Sequence, residues 1–155
     1  MSVERVRSFV KEHGLDHRIV EFSASSATVS LAASALGVEE ARIAKTLAFS
    51  FAEDQCIVVV AAGDRKINNK LFKTRFGLKA RMLDALRLKE ITGYEVGGVC
   101  PFDLPPSCHL YLDTSLRRFP TVFPAAGTAA SAIEVTCEEL FTVTKALEWV
   151  ELCSF

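Results

Sequence analysis

Long apolar runs are missing from this 155-residue chain: none approaches the roughly 18 consecutive apolar residues of a membrane helix. Met1-Ser2-Val3-Glu4-Arg5 opens without the apolar core of a signal peptide. A soluble, cytoplasmic protein with no membrane partner is therefore expected. Paired cysteines are missing too. Cys56, Cys100, Cys108, Cys137 and Cys153 are odd in number and form no Cys-x-x-Cys, which argues against a zinc knuckle and a disulfide framework and leaves reduced thiols. The three histidines, His13, His17 and His109, build no His-Glu-x-x-His, so neither a metal nor a cofactor is expected. The chain also lacks a Gly-x-Ser-x-Gly elbow, a P-loop, a dinucleotide fingerprint and a carboxylate pair set for acid and base roles. Excess charge is absent as well. With a formal net charge of −1, any surface for a polyanion must be local.

What is present suffices for one core, since half the residues are hydrophobic and the length is that of one domain. Ser2 can cap a first helix with Val3, Val6, Phe9 and Val10 on one face and Gly14 as its stop. His17–Phe22 reads as a short strand, and a second helix from about Thr28 presents Val29, Ala32, Ala33 and Leu36 before Gly37. Ile43–Phe51 and Cys56–Ala62, parted by the acidic turn Ala52–Gln55, have the pattern of an antiparallel hairpin, and the unbroken run Ile57–Val60 requires cover on both faces. A helix over Asn68–Phe76 and a strand Leu78–Met82 follow, then a helix capped by Asp84. Beyond them lie strands at His109–Leu112, Phe119–Phe123 and Ala132–Val135, a helix opened by the capping box Thr136–Glu139, and a closing strand Trp149–Leu152. This mixed order specifies a single α+β domain with a largely antiparallel or mixed sheet.

Three features carry chemistry. The stretch Gly93–Phe102 holds Gly93, Gly97, Gly98 and Pro101, too many breakers for a helix interior or a central strand. It is either an ordinary turn or a loop whose peptide N–H groups approach a bound oxygen. Lys45, alone in the apolar strand Ile43–Phe51, either snorkels from an edge or points into a polar cavity. Arg65, Lys66, Lys70, Lys73, Arg75, Lys79 and Arg81 run without an acid until Asp84, which makes a solvated face or a local phosphate surface. Cys100 is the one side-chain nucleophile of the glycine loop, and the nearest histidine, His109, lies across Pro105-Pro106.

In their order, Ala44-Lys45-Thr46-Leu47, Gly63-Asp64-Arg65-Lys66, the Gly-x-x-x-Pro loop Gly97–Pro101, Asp113-Thr114-Ser115-Leu116 and Ala126-Gly127-Thr128 resemble the YbaK family. Its members are aminoacyl-tRNA deacylases similar to the editing domain inserted in bacterial prolyl-tRNA synthetase. The resemblance spans nearly the whole chain and implies an α+β domain with a curved mixed β-sheet flanked by helices. It implies hydrolysis, in trans, of the ester of mischarged aminoacyl-tRNA, with an aminoacyl-tRNA synthetase as a further candidate partner. Lys45 matches the family's pocket lysine, and Gly97 and Pro101 match its loop, which adds Gly98, Val99 and Cys100 to the candidate catalytic set. Phe22, Thr46, Asp113, Ala126 and Gly127 are the candidate substrate-binding residues. Arg65, Lys66, Lys70, Lys73 and Arg75 are the candidates for contact with the tRNA backbone. Two departures bear on the amino acid removed. Cys100 stands where several members have serine, and Ala125-Ala126-Gly127 replaces Ser-Gly-Gly, with Ala132 at the place of a later aspartate. A pocket of such small residues suits alanine, serine or cysteine. A non-catalytic domain that holds tRNA ends or a partner is the alternative.

Overall fold

The computed structural model describes residues 2–155, the Ser2 side chain excepted. Local signals account for most of its helices. Helix α1 (Ser2–Lys11) buries Val3, Val6 and Val10 on one face, and Gly14 follows it at φ 72°. The expected Ser2 cap lies outside the described residues. Thr28 opens α2 (Val29–Leu36) by accepting the Leu31 amide at 3.1 Å, and Gly37 closes it in the left-handed region. Asn68 opens α3 (Asn69–Phe76) and Asp84 opens α4 (Ala85–Thr92) in the same manner. Helix α5 (Cys137–Thr144) begins with the full capping box, Thr136 and Glu139 each taking the other's amide.

The strands are β1 (Ile19–Glu21), β2 (Ile43–Ser50), β3 (Cys56–Ala62), β4 (Lys66–Ile67), β5 (Cys108–Asp113), β6 (Phe123–Pro124), β7 (Ser131–Ile133), β8 (Glu148–Val150) and β9 (Cys153–Ser154). Five of them form the central sheet in the order β6-β2-β3-β5-β8. Only β2 and β3 are antiparallel there, and the other three pairings are parallel. The sheet is thus mixed rather than largely antiparallel. β1 pairs with β7 and β4 with β9 in two small antiparallel ribbons.

Strand β3 is buried along its whole length, as its unbroken apolar run requires. Val58 and Val60 pack into the larger cluster with Val6, Val10, Leu88, Ile91, Leu140 and Val143 of α1, α4 and α5. Ile57 and Val59 pack into the second cluster with Phe49, Phe72 and Val150, under α3.

Five expected strands are shorter than their sequences suggest: His17–Phe22 pairs only over Ile19–Glu21, Ala132–Val135 is replaced by Ser131–Ile133, and the other three have identifiable causes. Leu78–Met82 runs beside β2 without joining a ladder: Ser50 N–H bonds Arg81 O, Leu83 N–H bonds Ala48 O, and one bridge joins Phe49 to Met82. Its side chains alternate from Leu78 to Arg81, and the exposed Met82 breaks the pattern. Phe119–Phe123 contracts because a 3-10 turn, Thr114–Arg118, runs up to it and Pro120 has no donor. Trp149–Leu152 breaks because the Leu152 amide turns away to the Asp113 carboxylate at 2.8 Å.

Candidate functional site

The pairing of β2 leaves a gap. Its outer edge is covered by β6 only at Ile43 and Ala44, and by the 81–83 segment only from Ala48 onward. A cavity of about 470 Å³ occupies that gap. Its walls are Thr28, Val29 and Ala32 of α2 and its cap, residues Ile43 to Ala48 of β2, and Met82 and Leu83. Val96, Gly97 and Val99 of the glycine loop, Phe123 and Ala125, Ser131 and Ala132, and Ser26, Ala27 and Leu88 complete them. Lys45 and Thr46 of β2 and, far along the chain, Gly97 and Val99 of the glycine loop line this one cavity.

Lys45 is half-buried, and its Nζ donates to the Arg65 carbonyl. Side chains alternate along a strand, so Lys45 leans to the side of Leu47 and Phe49, whereas Thr46 leans with Ala44 and Ala48 toward the larger core. Burial lowers the Lys45 pKa from the ordinary lysine value, with Cys153 and Asp64 working the other way. One bond to Arg65 leaves two of the three ammonium donors for an incoming oxygen. Thr46 Oγ1 is buried without a hydrogen-bond partner among the described residues.

The glycine loop is held from both ends. Tyr94 Oη donates to Phe102 O at 2.7 Å, and Arg5 lies 4.3 Å over the Tyr94 ring while pairing with Asp103. Gly97 has φ 87°, and a Cβ there would come within 2.9 Å of Ala27 Cβ and 3.3 Å of Ala129 Cβ. A Cβ on Gly98 would lie 2.8 Å from Thr128 Cα and 3.0 Å from Gly127 O. Both glycines are therefore required for this loop to seat against the 127–129 turn. The Gly98 amide is spent on Glu95 O at 3.0 Å. For the amides of Gly97, Val99 and Cys100, no protein acceptor is found among the described residues.

Several expected site residues stand elsewhere. Cys100 is fully buried beneath the loop, its thiol pushed up to about 11 by burial, and Pro101 is buried beside it. Neither lines the cavity, nor does Gly98. Asp113 is 1 % exposed and serves the chain itself: one oxygen takes the Ser115 amide and the other the Leu152 amide. Ala126 and Gly127 are buried behind the loop they support, and Phe22 is half-buried outside the cavity with its amide on Ala130 O. Arg65 stacks 3.5 Å over the Phe155 ring, and Arg75 pairs with Glu148 at 2.9 Å and lies over Phe76 and Tyr111. Lys66, Lys70 and Lys73 are exposed.

Conversely, Ser26, Met82, Leu83, Val96 and Ser131 wall the cavity although no local pattern singles them out. Ala132 does so too, at the position marked as a departure from the family's aspartate. Among the described residues the wall contains no Asp, Glu, His or Cys, and Lys45 is its one ionisable residue, with its ammonium on the Arg65 carbonyl near Asp64 and Cys153, which do not line the cavity. The arrangement can hold an anion or a polarised carbonyl by N–H groups, and it offers no side-chain general base.

Comparison with other proteins agrees with this architecture. The chain is 48% identical over 153 residues, 99% of its length and 98% of the other's, to "Uncharacterized protein YwhH" of Bacillus subtilis (strain 168). It is 28% identical over 138 residues, 87% of its length and 84% of the other's, to "Putative Cys-tRNA(Pro)/Cys-tRNA(Cys) deacylase EbsC" of Enterococcus faecalis (strain ATCC 700802 / V583). A solved structure described as "a putative trans-editing enzyme for prolyl tRNA synthetase" superposes with a TM-score of 0.86 at 29% identity, over 99% of this chain and 98% of that one. Residues 23–143 match the family described as "Aminoacyl-tRNA editing domain", and the chain belongs to that family.

Proposed function

We propose that residues 1–155 act as one editing domain that hydrolyses, in trans, the ester joining a wrong small amino acid to the 3′ end of a tRNA. One observation carries the reading: Lys45 and the loop residues Gly97 and Val99 line a single cavity at the open edge of β2. Water attack on an aminoacyl ester builds negative charge on the carbonyl oxygen. The amides of Gly97 and Val99 are the donors available to take that charge, and because the loop is already braced they need no rearrangement to do so. The two spare ammonium donors of Lys45 hold a phosphate or ribose oxygen of the terminal adenosine and fix the ester against the loop. No covalent intermediate on the protein is required. Cys100 is sealed in the core, with its pKa raised, and takes no part.

The alanines of the wall, among them Ala27, Ala32, Ala48, Ala125 and Ala132, favour alanine, serine or cysteine over a bulky or charged amino acid. Exposed Lys66, Lys70 and Lys73 supply sequence-independent contacts to the acceptor stem, and an aminoacyl-tRNA synthetase is the partner that delivers the substrate.

A second reading rests on the wall's lack of a side-chain base: the same groove would hold a tRNA end without cleaving it. Incubating the purified protein with a panel of mischarged tRNAs separates the two. Release of alanine, serine or cysteine above the buffer rate supports the deacylase. Salt-sensitive retention of tRNA with every ester intact supports the binding domain.

A further inference from the structure

Away from the cavity, two thiols face one another. Cys56 opens β3 and Cys108 opens β5, and the parallel register of these strands pairs the two residues directly. Their Sγ atoms are 3.3 Å apart, the Cys56 thiol donating to Cys108, although the residues lie 52 positions apart in sequence. Adjacent strands are spaced about 4.8 Å apart, which falls within the roughly 4.4–6.8 Å between Cα atoms that a disulfide spans. Joining the two sulfurs therefore needs side-chain rotation more than backbone movement.

We propose that Cys56 and Cys108 form an oxidisable dithiol, a modification site at which a peroxide closes a reversible disulfide within the chain. Exposure assigns the order of events. Cys108 is half-buried and within reach of a small oxidant, whereas Cys56 is fully buried and reachable only from Cys108. The hydrogen bond from Cys56 lowers the Cys108 pKa, against burial and with help from Ser107 and Arg5, while Cys56 itself is raised. Cys108 is thus the attacking sulfur. Its thiolate displaces hydroxide from hydrogen peroxide, breaking the O–O bond to give a sulfenic acid. The Cys56 sulfur then attacks the sulfenic sulfur, forms the S–S bond and expels water. In sum, two thiols and one hydrogen peroxide become one disulfide and two waters, two electrons passing from sulfur to the peroxide.

The remaining cysteines do not share this arrangement. Burial pushes the Cys153 thiol up to about 12 and raises that of Cys137, and Cys100 is sealed beneath the glycine loop. None of them has a second sulfur as hydrogen-bond partner among the described residues.

The experiment treats the full chain with hydrogen peroxide, counts free thiols and maps the peptides by mass spectrometry without reductant. Cleavage at Asp103 separates Cys100 from Cys108. The expected result is a fall from five thiols to three, with one cross-linked peptide pair holding Cys56 and Cys108, less two hydrogen atoms, and full return of the thiols with dithiothreitol. In Cys56→Ser the sulfenic acid on Cys108 should persist and be trapped by dimedone. The wild-type map decides even if that variant folds poorly. Cys56 and Cys108 both remaining reduced while another cysteine oxidises, Cys108 running on to sulfinic acid without a cross-link, or linkage only between chains would each overturn the proposal. Because the readout is thiols and masses, it stands or falls independently of the deacylase reading.

Discussion

At the scale of single residues, Lys45 and Cys100 make opposite predictions from opposite surroundings. Lys45→Ala removes the wall's only ionisable side chain, and losing a charge-assisted hydrogen bond of about 1.5–3 kcal/mol corresponds to a drop of roughly 10- to 150-fold in kcat/KM. Cys100→Ala, assayed on the same mischarged tRNA, should keep activity within a few-fold while costing about 1 kcal/mol of unfolding free energy as the buried sulfur is removed from the core. The reverse pattern would place the chemistry on the thiol. A pH series tests the ammonium separately. Burial lowers the Lys45 pKa, so its charge gives way at a pH below that of an exposed lysine. Binding of adenosine monophosphate, which has no ester to hydrolyse, should weaken as pH rises through that value and should be flat over the same range in Lys45→Met. The sign for stability is the opposite. Because the folded pKa is the lower one, the unfolded chain holds more protons across this window, and unfolding free energy gains as pH rises.

At the scale of elements, the boundaries legible in the sequence are those whose cause is local. Thr28, Asn68, Asp84 and Thr136 cap the helices that follow them in sequence, because an N-cap needs only its own side chain and an amide two or three residues on. Thr136→Ala should therefore cost about 1 kcal/mol, read as a lower urea midpoint with an unchanged slope. Strand ends are less legible because a strand is defined by a partner elsewhere in the chain. Leu78–Met82 has the alternation of a strand yet meets its neighbour β2 through a single bridge, and nothing within Trp149–Leu152 reveals that Asp113 will divert the Leu152 amide. The site divides along the same line. A lysine inside an apolar strand and a cluster of glycines before a proline are visible anomalies, and both lie at the cavity. Met82 and Ser131 join the same wall only through packing, which leaves no mark on the residues nearby. Asp113, conspicuous in sequence, is occupied with holding backbone amides.

At the scale of the whole molecule, charge is sorted by the fold. The basic stretch from Arg65 to Arg81 looks uniform in sequence, yet Arg65 and Arg75 are committed to aromatic rings and to Glu148, while Lys66, Lys70 and Lys73 remain in solvent. Replacing Lys66, Lys70 and Lys73 together with glutamine should weaken tRNA binding and flatten the log–log salt plot by up to about 0.7–0.9 for each phosphate that is no longer neutralised, with the melting temperature nearly unchanged. A titration against uncharged tRNA at several salt concentrations measures both the affinity and its slope. Arg75→Ala should instead lower the melting temperature and leave the salt plot almost as it was.

The ribbon of β4 and β9 ties Cys153 and Ser154 to Lys66 and Ile67, one residue past the point where Leu152 satisfies Asp113. Removing residues inward from Phe155 would first uncover the Arg65 guanidinium, then unzip a two-rung ladder, and finally strand an interior carboxylate at the foot of the central sheet. Loss of residues 152–155 would thus be felt at the segment whose carbonyl restrains Lys45, and would loosen the pocket from behind.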